Sequence, residues 1–462
     1  MPYSRRDFLK TTAVAAVGAS LFDVRELLAA GPFTRLDVGP LTASSPTLVS
    51  YGKAITAMQA LPSTNPLSWA YQAAIHGTTL SGSHPAWNTC QHGTPYFWSW
   101  HRMYLYWFER IIRKMSGDAN FALPFWNYES ASERALPAPF RVSGSPLFTP
   151  NRGAGWNAGT SFLSASAVAT SGFMPTVPYF SAQSSCESTP HAAVHVSVGG
   201  WMGSVPTAAQ DPIFYLHHAN IDRLWNAWLK QGGGRSNPLS DAAWKTTKFL
   251  FFDENGAEKW MTGCDVLRCA QQLNYTYQGE GTQVNQFCLK PLPWWVFEPV
   301  FLIEWPRFRL PPGPDPGPIE LNARELRQRL LTAAKDEKTD VSLEIEGVEA
   351  DKQPNVFWEV YVGLPKGAAA SPESAHYVGN IALFGHGVHD EHQHGGFKPA
   401  EFSFKVDRAV QGALQRDASG KLDLTFVARG AQTKGKSVSA ARNEANLTVG
   451  KARLALRRSK KT

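Results

Sequence analysis

Hydrophobic and polar positions follow helical spacing in four stretches of the N-terminal two-thirds of the chain, and each stretch begins in the same way. A residue that can cap a helix stands before a proline, and an amphipathic run follows. The first two runs are followed by Gly77 and Gly117, and the last by Gly232 to Gly234, where glycine favours a helix end. The four starts are Asn65-Pro66, Thr94-Pro95, Thr189-Pro190 and Asp211-Pro212.

Four helices with one apolar face each predict a four-helix bundle, because the apolar faces are buried against one another. The segment 118–188 lies between the second and third helices and is rich in Pro, Gly, Ser and Phe, so we expect long loops there. The predicted fold of this part is therefore mainly α.

The last third of the chain has the two-residue alternation of β-strands. Residues 305–336 include RFRLPPGPDPGPIE, whose proline content is typical of a linker. Beyond it, runs such as VSLEIEGVEA, NVFWEVYVGL and KLDLTFVARG alternate apolar and polar residues and are separated by turn residues. We predict a small antiparallel β domain, either a sandwich or a barrel, over residues 337–462 with a basic tail at its end.

The N-terminus has the pattern of an export signal. Residues 4–10 read SRRDFLK and precede the short, weakly apolar run TTAVAAVGASLF, which is typical of the twin-arginine pathway. We therefore assign residues 1–30 to a signal and expect the chain to reach the periplasm or the extracellular space without a permanent membrane anchor. A catalytic domain over residues 31–304 and the linker over 305–336 complete the predicted organisation.

Composition restricts the function further. The chain has 462 residues, 43% of them hydrophobic and 18% charged, which is enough apolar material for a globular core. Its net charge of +7 partly reflects the terminal run ARLALRRSKKT, and no basic stripe with interleaved aromatics accompanies that run, so nucleic acid is not expected as a partner. Five cysteines are an odd number for an exported protein, and Cys264, Cys269 and Cys288 could hold a disulfide whose connectivity stays open.

Histidines occur where helical spacing turns them inward. His191 and His195 are four residues apart on the third helix, so both imidazoles should project from one face. His218 lies on the apolar face of the fourth helix. Asp222 follows one turn later and could orient the helix or its histidine. The sequence therefore predicts a site with at least three imidazole ligands.

The first half of the bundle offers three more histidines, His76, His92 and His101. Six neutral imidazoles with few carboxylates indicate copper, because iron and manganese centres in bundles use mostly Glu, and a zinc hydrolase normally has a carboxylate beside its histidines. Two copper ions could take two electrons from a substrate and transfer them to dioxygen. For any single histidine, and for His76 above all, the alternative is a hydrogen-bonded core residue.

Two motifs resemble those of one known family. HAAVHVSVGGWMG followed by DPIFYLHHANIDRLW resembles the second copper motif of tyrosinases, catechol oxidases and molluscan haemocyanins, and the segment from His92 to Phe125 resembles the first. The resemblance covers about residues 65–230. It implies that His76, His92 and His101 bind the first copper and that His191, His195 and His218 bind the second, with His217 as the neighbour of the last ligand.

The resemblance also implies roles for two residues near the ligands. Cys90 stands where fungal enzymes join a cysteine to the ring of His92 through a thioether, and the alternative is a buried free thiol. Glu187 resembles the plant-enzyme glutamate that holds a water near the second copper. Such a carboxylate could help deprotonate an incoming phenol, which has a pKa near 10. Alternatively, Glu187 only satisfies backbone donors at the start of the third helix.

The expected substrate entrance, lined by Val205, Ala192 and Val196, departs from the family pattern at two positions. Ala192 stands where many strong monophenol hydroxylases have Asn, which puts hydroxylation in doubt. Val205 stands where plant catechol oxidases place a Phe over the first copper, and its smaller side chain favours access by bulky or monophenolic substrates. The two departures point in opposite directions.

The C-terminal β domain resembles, more weakly, the shielding domain of plant polyphenol oxidases, through FWEVYV and YVGNIALFGHG. We therefore expect it to cover the copper site of a latent precursor. The loop HGVHDEHQHGG could serve copper loading, but a solvated polar loop is the preferred interpretation. The loop contains His386, His389, His392 and His394.

The sequence thus predicts an exported dicopper phenol oxidase that converts o-diphenols to o-quinones with dioxygen, with hydroxylation of monophenols as an additional activity. Its expected partners are a small phenolic substrate, dioxygen and a copper donor protein. Three alternatives stay open: an o-aminophenol oxidase, a dioxygen carrier like molluscan haemocyanin, and a secreted protein that binds no metal.

Overall fold

The fold was analysed on a computed structural model. It describes residues 32–79, 84–281, 286, 288, 300–305, 307–310, 319–322, 327–333, 339–351, 354, 356–384, 399–416, 421–430, 432–433 and 447–458. Helices dominate the part before residue 280, and strands dominate the part after residue 300. In the described part of the chain, no helix is both long enough and apolar enough to cross a bilayer.

The helices are numbered in chain order. They are α1 (Pro46–Gln59), α2 (Trp69–His76), α3 (Phe97–Ser116), α4 (Tyr179–Cys186), α5 (Ala193–Val198), α6 (Val205–Ala208), α7 (Ile213–Lys230), α8 (Ala242–Thr246), α9 (Cys269–Gln272), α10 (Arg327–Ala333) and α11 (Asp407–Arg416). A wide helical turn, Glu187–Ala192, joins α4 to α5. Single 3₁₀ turns span Ala131–Glu133, Ala138–Arg141, Gly200–Gly203 and Gly263–Val266.

The predicted helices are present, but their starts were placed too early. Helix α2 begins at Trp69, because Ser68 Oγ accepts the N–H of Tyr71 (3.1 Å) and so caps the first turn. Asn65, the predicted cap, instead closes the preceding turn by accepting the N–H of Leu67 (2.9 Å). The end of α3 agrees with the prediction, since Gly117 follows it in the left-handed conformation, with φ of 73°.

Several of the described helices were not predicted, among them α1 and α4 of the helical part. Helix α1 follows Ser45-Pro46, the same pair of a capping residue and a proline that announced the others, and it buries Leu48, Tyr51 and Ile55. Helix α4 lies within the segment 118–188 that was expected to form loops, and the rest of that segment is mostly turns, as expected. Helix α4 has a balanced mixture of small and polar residues, so it shows no clear apolar face in the sequence.

The strands are also numbered in chain order. They are β1 (Phe33–Arg35), β2 (Ser161–Phe162), β3 (Phe249–Phe252), β4 (Glu258–Met261), β5 (Tyr275–Tyr277), β6 (Val300–Trp305), β7 (Phe308–Leu310), β8 (Ile319–Asn322), β9 (Thr339–Ala350), β10 (Phe357–Val362), β11 (Tyr377–Ile381), β12 (Ala400–Lys405), β13 (Lys421–Arg429), β14 (Gln432–Thr433), β15 (Leu447–Val449) and β16 (Lys451–Arg458).

Two antiparallel sheets form the C-terminal region. One has the strand order β11-β10-β13-β8, and the other has the order β6-β16-β9-β15-β7, with β12 paired to β9. Apolar side chains of both sheets and of α10 and α11 belong to one buried cluster, so the sheets pack on each other as in a sandwich. In addition, β14 pairs with β2 and thereby joins the C-terminal region to the helical part.

The predicted linker over residues 305–336 is wrong in part. It contains β7, β8 and α10, and β8 pairs with β13 while β7 pairs with β15. Strand β6, assigned to the catalytic domain, pairs with β16 at the far end of the chain. The proline-rich composition misled the prediction, because short strands at a sheet edge tolerate neighbouring prolines.

A buried ionic network ties the helical part together around Asp222. Its carboxylate pairs with the guanidinium groups of Arg102 on α3 and Arg35 on β1, and it accepts hydrogen bonds from the hydroxyls of Tyr275 and Tyr277, each at 2.6 Å. All five side chains are buried. Asp222 therefore connects α7 to α3, β1 and β5. It does not serve as the partner of His218 that the sequence suggested.

We predict that Asp222→Asn lowers the free energy of unfolding by ~3 kcal/mol, because it leaves the buried charge of Arg102 without its carboxylate. Glu254→Gln is the matched control, since Glu254 pairs with Arg110 where both side chains are a quarter exposed, and it should cost about 0.5 kcal/mol. Equilibrium denaturation of the two variants measures both values. Equal losses would contradict the assignment of Asp222 as the central ionic contact.

Candidate metal centre

Two groups of histidines meet in the interior of the helical part. The first group contains His76 at the end of α2, His92 in the loop before α3, and His101 on α3. The second group contains the histidines of the α4–α5 junction, α5 and α7. Within each group the side-chain nitrogens lie within 4.8 Å of one another, and all seven rings are buried. The second group consists of His191, His195, His217 and His218.

The two groups adjoin each other. The rings of His101 and His218 stack with centroids 4.4 Å apart and planes 10° apart, and His92 stacks on His191 at 5.4 Å. Within the second group, Nε2 of His195 and Nε2 of His218 are 3.3 Å apart. The rings therefore form one continuous cluster in which two ions could lie side by side.

Backbone carbonyls orient four of these rings. Nδ1–H of His76 donates to Val205 O (3.2 Å), and that of His101 donates to Phe97 O (2.8 Å). In the second group, His191 donates to Glu187 O (3.0 Å) and His195 to Met202 O (2.7 Å). Such a bond fixes the tautomer and leaves Nε2 to bind a metal, as is usual for metal-binding histidines.

The approach of His76 to its carbonyl depends on a glycine. A Cβ on Gly77, which follows the ring, would lie 2.6 Å from Val205 O, so a larger residue would displace the carbonyl that holds His76. The predicted helix end at Gly77 therefore also has a role in the site. Its backbone is extended, and the need for glycine comes from the close approach alone.

The orientation leaves buried imidazole nitrogens that face no hydrogen-bond partner among the described residues. These are Nε2 of His76, His101 and His191. A buried polar atom without a partner is costly, and a metal ion in each histidine group would satisfy these nitrogens. Burial lowers the pKa of His101 to about 3 and holds the pKa of His76 and His191 well below the usual range, so the rings are neutral, as metal ligands must be.

The chemistry of the donors fits copper. The histidine groups contain imidazoles only, whereas iron and manganese sites in bundles require several carboxylates. The carboxylate that approaches the cluster is Glu187, and its Oε1 accepts the N–H of Gly93 (2.6 Å), next to His92. Imidazole ranks high among the ligands of copper, so the residues present agree with the ion expected from the sequence.

His217 lies closer to the cluster than the sequence indicated. Its Nδ1 is 3.1 Å from the hydroxyl of Tyr128, and its ring centroid is 4.7 Å from that of His195. Tyr128, from the loop after α3, was missed because nothing in the sequence places it beside α7. His218 has its Nε2 beside His195, and its Nδ1 has no partner within the described chain.

Glu187 is buried at the junction of α4 and the following turn. Its side chain contacts the loop that carries His92, and its backbone carbonyl accepts the bond from His191. Burial raises the pKa of its carboxyl group to about 8, above the ordinary value of 4.5. Glu187 therefore links the two histidine groups, as well as lying near the start of the third predicted helix.

The cysteines divide into two kinds. Cys264 and Cys288 form a disulfide, which settles the pairing that the sequence left open, and Cys269 is a buried thiol. Cys90 has its Sγ 3.5 Å from Nδ1 of His92, and burial raises the pKa of this thiol. The structure thus brings the predicted thioether partners together.

The expected entrance residues are near the histidines but not open to solvent. Ala192 and Val196 each follow a histidine of the second group directly and are buried. Val205 contributes its carbonyl to His76, and its side chain is partly buried. These positions therefore lie beneath another part of the chain.

Phe384, directly after β11, covers the cluster, and the sequence analysis did not single it out. Its ring stacks on His195 with centroids 3.9 Å apart and planes 12° apart, and it lies 5.4 Å from His92 and 5.6 Å from His191. A sequence feature could have indicated Phe384. In YVGNIALFGHG, the apolar pair Leu383-Phe384 continues beyond the strand and stands directly before a glycine. His386, His389, His392 and His394 lie outside the described residues.

Comparisons with protein families place known domains along the chain. Residues 66–181 and 156–231 match the common central domain of tyrosinase, and residues 239–296 match the polyphenol oxidase middle domain. Residues 2–22 match the twin-arginine translocation signal, which supports export. Residues 319–443 match a domain family of unknown function.

Individual relatives agree with these matches. The chain is 37% identical over 284 residues to the tyrosinase HcTyr1 of a Hahella species, covering 50% of this chain and 60% of the relative. It is 27% identical to a chloroplastic polyphenol oxidase of Malus domestica, covering 73% of this chain and 66% of the relative. The chain thus spans somewhat less than two thirds of the length of either relative.

The fold has a solved counterpart. The structure of latent apple tyrosinase aligns with a TM-score of 0.64 at 23% identity, covering 93% of this chain and 98% of the apple chain. The likeness shows a shared fold with a helical part and a C-terminal β region. Tyrosinases are copper-binding proteins, which agrees with the clusters of histidines described above. Residues 66–231 of the chain therefore carry the common central domain of tyrosinase, and the polyphenol oxidase middle domain follows over residues 239–296.

Proposed function

We propose that this protein is an exported dicopper phenol oxidase that converts o-diphenols to o-quinones with dioxygen. The observation that carries the proposal is the pair of adjoining, buried imidazole groups whose Nε2 atoms face one another without a carboxylate ligand. Two copper ions, when bound, would pass the two electrons of each diphenol to dioxygen. Two diphenols then give two quinones, and one dioxygen gives two waters.

The ligand assignment follows the two groups. His76, His92 and His101 would hold the first copper, and the ligands of the second would be His191, His195 and His218. We assign His218 rather than His217, because the family resemblance places the ligand four residues before Asp222 and because Nε2 of His218 lies 3.3 Å from Nε2 of His195. Helices α2, α3, α5 and α7 would then form the four-helix core, and Cys90 would be joined to His92 by a thioether.

Glu187 would act as the base that takes the proton of the incoming phenol. Its carboxylate is held by Gly93 beside the first group, and its backbone holds His191 of the second, so it lies at the boundary of the two. A general base is most useful when its pKa is near the working pH. Ala192 and Val196 would line the entrance, with Val205 at its first-group side. Monophenol hydroxylation would be a secondary activity, because Ala192 stands where many strong hydroxylases have Asn.

The C-terminal region would act as an intramolecular cover. The ring of Phe384 stacks on His195 and so occupies one face of an imidazole of the second group. A substrate can therefore reach the imidazoles only when Phe384 has moved. We propose that the chain is a latent precursor whose catalytic domain ends before β6 and whose cover comprises β6 to β16.

Copper binding tests the central assignment. We predict that the full chain holds about two coppers, and that His195→Ala reduces this number to about one and abolishes catechol oxidation, because an imidazole of the second group is lost. His84→Ala is the control, since His84 lies outside both groups. Elemental analysis and oxygen consumption measure the two effects.

Substrate comparison separates the alternatives in the same preparation. Faster turnover of 2-aminophenol than of catechol would identify an o-aminophenol oxidase. Reversible oxygenation without catechol consumption would identify a dioxygen carrier. A chain that holds no copper after loading would contradict the proposal as a whole.

Removal of the covering ring tests latency. We predict that Phe384→Ala raises kcat/KM for catechol by about tenfold, the factor that corresponds to ~1.4 kcal/mol of lost ring stacking. Phe426→Leu is the matched control, because Phe426 is buried in the core of the β region away from the imidazoles. An unchanged kcat/KM in a folded Phe384→Ala variant would show that Phe384 does not limit access.

The raised pKa of Glu187 predicts a pH-dependent stability in the copper-free chain. Between pH 4.5 and 8 the folded chain retains a proton that the unfolded chain releases, so this contribution to stability is present at low pH and lost as the pH rises. Glu187→Gln removes the effect. Its stability relative to the wild type should therefore increase from pH 5 to 8, by up to about 1.4 kcal/mol per pH unit.

Denaturant unfolding of both proteins at several pH values measures this difference. The exposed Glu258→Gln variant is the control, and its difference from the wild type should stay constant with pH. A constant difference for Glu187→Gln as well would contradict the burial of an ionisable carboxyl at this site.

A further inference from the structure

The segment that leads into the second histidine group is not held by a continuous helix. We call residues 185–192, between the end of α4 and α5, the junction. All eight residues are buried, and Thr189 leaves the helical conformation with φ of −145° and ψ of 121°. Because the helical hydrogen bonds are interrupted there, the position of the junction depends on contacts with other parts of the chain.

Two serines of the junction make such contacts with the C-terminal region. Ser185 Oγ donates to the backbone oxygen of Ser403 on β12 (2.9 Å). Ser188 Oγ donates to the backbone oxygen of Asn380 on β11. We call Ser185 and Ser188 the serine brace. Both hydroxyls donate to backbone carbonyls of the C-terminal region. This region therefore contacts the junction as well as the imidazole of His195.

The acceptor on β11 is itself fixed. The side chain of Asn380 is fully buried, its Nδ2 donates to Ser166 O of the helical part (3.0 Å), and its Oδ1 accepts the hydroxyl of Tyr377 (3.0 Å). Asn380 thus spans the boundary between the two parts of the chain. Its backbone carbonyl is a rigid point against which Ser188 can be held.

Glu187, which lies between the two serines in the chain, connects the brace to the site. Glu187 precedes Ser188 directly, its carbonyl orients the ring of His191, and its carboxylate holds Gly93 beside His92. A displacement of Ser188 would therefore shift the carbonyl that sets the tautomer and direction of His191. Loss of such an orienting contact typically weakens metal binding.

We propose that the C-terminal region, besides covering the site, braces the second histidine group through Ser185, Ser188 and Asn380, and thereby slows loss of the copper held there. The proposal rests on the proposed dicopper function. Ser185, Ser188 and Asn380 are positioning residues, since they act through Glu187 and His191 and touch no ligand atom. The first group is expected to keep its rings in place, because His76 and His101 are oriented by carbonyls of other segments. The contact of Glu187 with this group is made to the backbone N–H of Gly93 and not to a ring.

The test measures copper release rather than turnover. The full chain, loaded with copper, is mixed under reducing conditions with an excess of a chelator specific for Cu(I), and the two equivalents are followed by the absorbance of the chelate. We expect Ser188→Ala to release one equivalent about fivefold faster, the effect of one lost hydrogen bond, and to leave the other unchanged. Asn380→Ala should act in the same direction, and the double variant should add little to either change.

Ser184→Ala is the matched control. Ser184 belongs to the same helix end, and its side chain has no hydrogen bond to any described residue. The Ser184→Ala variant should therefore release both copper equivalents at the rates of the wild type. Unchanged release in both Ser188→Ala and Asn380→Ala, or an equal acceleration of both equivalents, would overturn the brace while leaving the dicopper function intact. Absence of copper from the wild type would overturn both.

Discussion

The site depends on one recurring contact, the hydrogen bond from an imidazole Nδ1–H to a backbone carbonyl. Burial keeps the imidazoles neutral, so each ring has one donor and one acceptor nitrogen, and the carbonyl takes the donor. The acceptor Nε2 must then face the interior, where a cation is the partner that fits. The carbonyls come from unrelated segments, Val205, Phe97, Glu187 and Met202, so the geometry of the cluster depends on how the whole helical part is packed.

The carboxylates of the helical part serve that packing. Asp222 and Glu109 are buried in pairs with Arg35 and Arg102, away from the histidine nitrogens. A buried carboxylate must be neutralised, and here the two arginines do so. The negative charges of Asp222 and Glu109 therefore stay at a structural position, apart from the histidine cluster. The histidine cluster therefore retains an uncharged donor set that suits copper, and Glu187 lies at its edge.

The C-terminal region contributes contacts of two kinds. Phe384 stacks on His195 and closes the approach to the imidazoles, while β11 and β12 accept hydrogen bonds from the junction that carries Glu187 and His191. The first contact would block substrate, and the second would stabilise the ligand set. Both contacts are made by β11, β12 and the residues that follow β11. Displacement of this region would therefore open the imidazoles to substrate and, at the same time, remove the hydrogen bonds that hold the junction.

The sequence by itself predicted the histidine-bearing helices and favoured copper, because helical spacing and imidazole content are local properties of the chain. The resemblance to tyrosinases rested on two contiguous histidine motifs, which are local as well. It misplaced the start of α2, since either Asn65 or Ser68 could cap, and it took 305–336 for a linker, since strand pairing with residues far along the chain leaves no local trace. Only the tertiary structure brought Phe384 and Tyr128 to the histidines, Asn380 to Ser188, and Asp222 to Arg102. These contacts join residues that are tens to hundreds of positions apart, and side-chain packing in three dimensions, rather than sequence periodicity, selects them.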